Sequence, residues 1–150
     1  MPTANITRDE ASLRSEVIKA KAYRVTVDVT GRDVTDAEQV FSSVTELDVT
    51  SMGGPTHIDL IADEVATATV DGEPVSLDGY DGYRLRLPDL SPGEHSVRVE
   101  ARCRYSHSGE GLHRFVDPAD GKVYLYTQFE TADARRMYAN LEQPDQKATF

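Results

Sequence analysis

Cysteine is almost missing from this chain, with Cys103 alone among 150 residues. A lone cysteine closes no internal disulfide and builds no cysteine-based zinc site, so disulfide-framework classes are excluded and a reducing compartment is expected. Long apolar runs are lacking as well. No stretch approaches the about 20 residues that cross a bilayer, and the opening Met1-Pro2-Thr3-Ala4-Asn5 has no apolar signal-peptide core. A cytoplasmic protein with no membrane partner is the expectation. Positive charge is in deficit, with 16 basic against 26 acidic side chains and a net charge of −10. Residues 1–75 hold 6 basic and 14 acidic groups and residues 76–150 hold 10 and 12. This negative field repels a polyanion, and no Lys/Arg stripe is interleaved with aromatics, which argues against nucleic acid as a partner. Scattered surface acid serves solubility. Self-contained catalytic motifs are also missing: there is no Gly-x-Ser-x-Gly elbow, no His-Glu-x-x-His, no phosphate loop and no dinucleotide fingerprint.

What is present is alternation. At 16.6 kDa the chain has one domain's length and can bury a core without staples. Thr7-Arg8-Asp9-Glu10 has the form of a capping box and predicts a leading helix to about Ala20, with Leu13, Val17 and Ile18 turned toward the body. The rest, residues 21–150, reads as a single β domain. Apolar and polar residues alternate through Tyr23 to Val29, Phe41 to Val49, Ile58 to Ala62, Tyr83 to Leu87, Val97 to Tyr105 and Val123 to Phe129, as in strands with one buried face. Asp71-Gly72 suits a two-residue hairpin and Ser91-Pro92-Gly93-Glu94 a type II turn; Pro74 belongs on a sheet edge. Residues 106–122 read as one long connection. Thr131 to Tyr138 predicts a short helix capped by Thr131, and Gln143-Pro144-Asp145 a turn. The expected class is mainly β, an antiparallel sandwich or open barrel, with a short helix near each end. Because Ala148-Thr149-Phe150 opens an extended run with no return partner, the chain is expected to be the front of a longer polypeptide.

Among candidate chemical groups, His107 and His113 flank a glycine-rich turn with Asp117 and Asp120 close behind. Their spacing fits no recognised ligand pattern, and ordinary loop hydrogen bonding is expected. His57 and His95, each beside a turn, are expected to be solvated. Cys103 shares an apolar face with Val99, Ala101 and Tyr105 and behaves as a small hydrophobe, while Ser106 and Ser108 lack the strained turn a nucleophile needs. Gln128 and Glu130 stand out. Two apart on a strand, they share a face about 7 Å apart that Tyr124 and Tyr126 continue. Two rings, an amide and a carboxylate can hold an amine; a solvated polar strand face is the alternative.

The patterns Gly111-Leu112-His113-Arg114-Phe115, Tyr124-Leu125-Tyr126-Thr127-Gln128-Phe129-Glu130, Asp133-Ala134-Arg135-Arg136 and Gln143 to Phe150, in this order and spacing, closely resemble the end of the N-terminal domain of the aminopeptidase N family. These are zinc metallopeptidases of the gluzincin type. The resemblance is strong over residues 109–150. It implies a β-rich saddle that packs on a thermolysin-like catalytic domain, absent from this chain along with the zinc ligands. It further implies that Glu130 binds the free α-amine of a peptide substrate and that Gln128 lines the pocket for the first side chain, the role the shared face suggests. On this reading the segment alone is inactive. The family's Phe-Pro-Cys-Phe/Trp-Asp-Glu-Pro segment is replaced here by Met137 to Pro144. The rival expectation is a free-standing β-sandwich interaction module whose tyrosine-bearing face binds a partner protein.

Overall fold

The structure, a computed structural model, describes residues 5–30 and 39–150; Met1 to Ala4, read above as part of an opening without a leader core, lie outside them. Helix α1 spans Arg8–Val17 and opens with the expected reciprocal cap. The Thr7 hydroxyl accepts from the Glu10 amide at 3.2 Å, and the Glu10 carboxylate accepts from the Thr7 amide at 2.8 Å. The helix stops three residues short of Ala20, because Ile18 is already extended and opens β1 (Ile18–Asp28). Nor does Leu13 face the body. It is 63% exposed, and the helix docks instead through buried Arg14.

A five-stranded sheet forms the body, made of β1, β2 (Val40–Ser51), β4 (Glu64–Val70), β5 (Glu73–Pro74) and β7 (Gly93–Arg104) in the order β1-β2-β7-β4-β5. All its pairings are antiparallel. Burial in β2 and β7 follows the period of two: Phe41, Leu47, Val49, Val97, Val99, Ala101 and Cys103 point inward, while Glu46, Asp48, Arg98 and Arg102 point out. Burial pushes the Cys103 thiol up to about 12, so it is inert filling. The Asp71-Gly72 turn has φ of 52° and 85°, the left-handed pair a two-residue hairpin needs, and Pro74 lies on the edge strand as expected. Gly93 has the expected positive φ, 134°.

Strand β4 was not among the expected runs, since its alanines and threonines carry little apolar contrast and a bulge between Val65 and Thr67 shifts its phase. Two small ladders complete the core. One pairs β3 (His57–Asp59) with β6 (Arg84–Arg86), and the other pairs β8 (Gly111–Val116) with β9 (Val123–Gln128). Their inward residues Ile58, Leu85 and Leu112 join the same apolar cluster as the large sheet. The expected long connection 106–122 thus contains β8, whose buried face includes Arg114 and so breaks the apolar pattern.

The helix expected over Thr131 to Tyr138 contracts to a 3-10 turn at Ala134–Arg136, and Thr131 does not cap it. Local groups are committed elsewhere. The Asp133 carboxylate accepts from Arg136 Nε at 2.7 Å, and the Arg135 amide donates to Glu142 at 2.7 Å. The turn at Gln143 closes with a 3.1 Å bond from the Gln146 amide. Thr149 then lies parallel to β1, accepting from the Tyr23 amide at 2.8 Å.

Candidate functional site

The β8–β9 hairpin presents two unlike faces. Register pairs Gly111 with Gln128, His113 with Tyr126 and Phe115 with Tyr124, so these six residues share one face. Leu112, Arg114 and Leu125 occupy the other and are buried or half-buried. On the open face Phe115, Tyr124 and Tyr126 are about half exposed, at 48%, 48% and 52%. Tyr126 stacks on His113 with ring centres 4.6 Å apart. The Tyr124 hydroxyl donates to Asp120 at 2.8 Å, which holds its pKa above the usual phenol range.

Gln128 ends β9 on this face, and Glu130 lies two residues on, in the turn that follows, rather than on the strand itself. The two remain coupled, since the Gln128 side-chain oxygen accepts from the Glu130 amide at 3.0 Å. The Glu130–Thr131 peptide is cis. Both side chains are exposed, and the Glu130 carboxylate makes no hydrogen bond or ion pair among the described residues. On the same hairpin, Gly111 has φ of 63° and a Cβ there would come within 2.8 Å of Arg136 Cβ. Only glycine lets the Arg136 stem lie this close. Arg136 is held in turn by Asp133 and by Glu110, 3.4 Å away.

The histidines divide. His107 Nδ1 contacts the Arg114 carbonyl at 3.0 Å and His113 Nδ1 accepts from the Gly109 amide at 3.0 Å, ordinary loop bonding. Their rings are 6.4 Å apart. Ser106 and Ser108 bond to each other and to nearby backbone; Asp117 and Asp120 bind amides of their own turn. Among the described residues no three His, Cys, Asp or Glu side chains converge as metal ligands. No described helix is long and apolar enough to cross a membrane.

His57 and His95, expected to be solvated, are not. His95 is clamped between Asp71 and Ser91. His57 adjoins a buried hub that the sequence reading did not find. There Arg14 donates to Asp59 at 2.7 Å and to the Gln143 side chain, and lies 3.0 Å from His57 Nε2. Asp59 also accepts from the Glu142 amide at 2.9 Å, and its backbone exchanges two bonds with Asn140. Burial first, and then Arg14, pushes the His57 pKa down to about 4, so its neutral ring accepts from Arg14. The available signal was Asp59 itself, an acid between the apolar residues Ile58 and Leu60.

Comparison with known proteins now gives these elements a relative. Over its whole length the chain is 44% identical to aminopeptidase N of Streptomyces lividans. From end to end the chain is similar to the N-terminal part of an aminopeptidase N. It spans 18% of that relative's length. No family model matches it. Its fold is that of a segment of native leukotriene A4 hydrolase from Saccharomyces cerevisiae, with a TM-score of 0.67 over 89% of this chain and 22% of the other, at 15% identity. The mainly β, antiparallel architecture expected of an aminopeptidase N-terminal domain is the one observed.

Proposed function

We propose that this domain is the substrate-anchoring part of a zinc-dependent aminopeptidase, holding the free N-terminus of a peptide while a catalytic domain on the parent chain cleaves the first bond. The observation that carries the reading is Glu130, an exposed carboxylate that has no bond partner among the described residues, tethered to Gln128 at the end of an open aromatic face. An exopeptidase must measure one residue from the chain end. A carboxylate at a fixed position does this by capturing the α-ammonium, whose pKa near 8 leaves it largely cationic at neutral pH. The Gln128 amide directs that amine; the hairpin ladder fixes Gln128, and the Gln128 side-chain oxygen holds the Glu130 amide at the end of that ladder.

Zinc in the parent enzyme would polarise the scissile carbonyl and activate water. Its ligands would come from the catalytic domain, and the contribution of the present chain is orientation and selectivity.

The test is Glu130→Ala in the full-length enzyme. Losing a charge-assisted bond that also orients the substrate should lower kcat/KM for aminoacyl substrates by roughly 10- to 100-fold. An unchanged kcat/KM would remove Glu130 from the site. The isolated 150 residues should hydrolyse no aminoacyl anilide with added zinc, and metal-dependent turnover by homogeneous chain would overturn the division of labour.

A further inference from the structure

At one end of the large sheet, far in sequence from Gln128 and Glu130, His95 on β7 sits between two groups that only accept hydrogen bonds. Its Nδ1 lies 2.6 Å from an Asp71 carboxylate oxygen and its Nε2 lies 2.9 Å from the Ser91 carbonyl. A neutral imidazole carries one N–H and can satisfy one of these, leaving a lone pair aimed at the other. An imidazolium satisfies both. We propose that His95 is a protonated latch that ties the Asp71-Gly72 turn to the Ser91–Gly93 turn and releases the second turn when the ring loses its proton.

The surroundings favour the charged ring. Asp71 is fixed in three ways: its amide donates to the Ser96 carbonyl at 2.8 Å, one carboxylate oxygen accepts from the Ser96 amide at 2.8 Å, and the other faces His95. The Ser96 amide, and then His95, hold Asp71 below the usual carboxylate range, so the shared proton stays on the ring. The Asp71 contact, then the Ser91 carbonyl, raise the His95 pKa against a smaller burial cost. The other charged groups facing this cavity of about 570 Å³ are Lys21, Asp48 and Glu94. Lys21 is bound to Glu94 at 2.6 Å and Asp48 to Arg24 at 3.1 Å. The remaining cation near His95 is thus already neutralised, and the local field is acidic.

Deprotonation has an asymmetric result. A bond to a carboxylate is roughly twice as strong as one between neutral groups, so the last proton stays on Nδ1 and the Ser91 carbonyl loses its donor. Ser91 adjoins Pro92, whose ring packs where a Gly53 Cβ would be 3.4 Å away, and Leu90 bridges Gly54. Release at Ser91 therefore loosens the seam between the two turns that close this end of β2 and β7.

Ring-nitrogen NMR of the ¹⁵N-histidine-labelled protein tests the latch. At about neutral pH both His95 nitrogens should be protonated, with a midpoint above the reference value of 6.5. Asp71→Asn should bring the midpoint down toward that reference. Amide exchange at Ser91 and Gly93, corrected for base catalysis, should step upward across the His95 titration and show no step in His95→Gln. A neutral, singly protonated ring at neutral pH, or a step that survives His95→Gln, would overturn the proposal. Should Asp71→Asn not fold, the titration of the unmodified protein decides by itself.

Discussion

Asp59 and Glu130 are both acids on or just beyond the small ladders, and the chain treats them in opposite ways. Asp59 is 1% exposed and held by several partners: its Oδ2 accepts from the Arg14 guanidinium and the Glu142 amide, its backbone pairs with Asn140, and Oδ1 is buried without a hydrogen bond. Glu130 is exposed and spends its backbone amide on Gln128, while its carboxylate makes no bond among the described residues. The first joins helix α1 to the segment 140–143 across more than a hundred residues of sequence. The second lies at the end of a hairpin face whose aromatics remain half bare. An acid that holds a fold and an acid available to a ligand are told apart here by desolvation and partners, not by residue type.

The sharpest way to break this contrast is Asp59→Ala. It strands the buried Arg14 charge without its counterion, a loss of about 3–5 kcal/mol, where exposed ion pairs in general are worth about 0–1 kcal/mol. Equilibrium urea unfolding measures it through the midpoint at constant m-value. A loss below about 1 kcal/mol would mean that the hub is not a structural keystone.

The second test uses pH. His57 is held near 4 in the folded protein and returns to about 6.5 when unfolded. The unfolded chain therefore binds the extra proton first. Its depressed pKa stabilises the fold fully above about 6.5 in the sense that no protonation cost is felt there, and that freedom is lost as pH falls toward about 4, with a slope of up to about 1.4 kcal/mol per unit. His57→Gln should flatten this limb of the stability curve. Glu10, lowered to about 2 by Arg84 and the Thr7 amide, acts in a more acidic window, as its stabilisation is lost only below about pH 4.5. The two limbs are separable in one titration.

Much of this arrangement is legible in the sequence where one residue carries one signal. Thr7 and Glu10 announce their cap, Asp71-Gly72 its turn, and the Val97 to Tyr105 alternation its buried face. The shared face of Tyr124, Tyr126 and Gln128 follows from strand periodicity alone. What escapes is cooperative. β4 hides behind small side chains and a bulge, β8 carries a buried arginine, and the expected Thr131 helix shrinks to a 3-10 turn whose Arg135 amide is taken by Glu142 and whose Asp133 carboxylate is taken by Arg136. The Arg14 hub escapes for the same reason, because no local pattern reports a pairing made 45 and 129 residues away. Glu130 differs from the expected strand position: β9 ends at Gln128, and Glu130 lies in the turn beyond it, tied to Gln128 by a side-chain-to-amide bond rather than by a shared strand face.

The smallest expected effect sharpens the comparison most. Glu130→Ala should leave the unfolding free energy within about 0.5 kcal/mol of the parent, since an exposed side chain with no partner among the described residues gives up little when truncated. The same substitution is expected to cost at least tenfold in kcat/KM in the full-length enzyme, roughly 1.4 kcal/mol of transition-state stabilisation. Activity and stability thus separate at Glu130 and coincide at Asp59, where any loss of turnover should follow loss of folded protein. Calorimetry and kinetics on the same two variants measure both quantities. If Glu130→Ala lowered stability as much as it lowered turnover, the carboxylate would be a structural group, and the exposed tyrosine face would have to find its ligand without it.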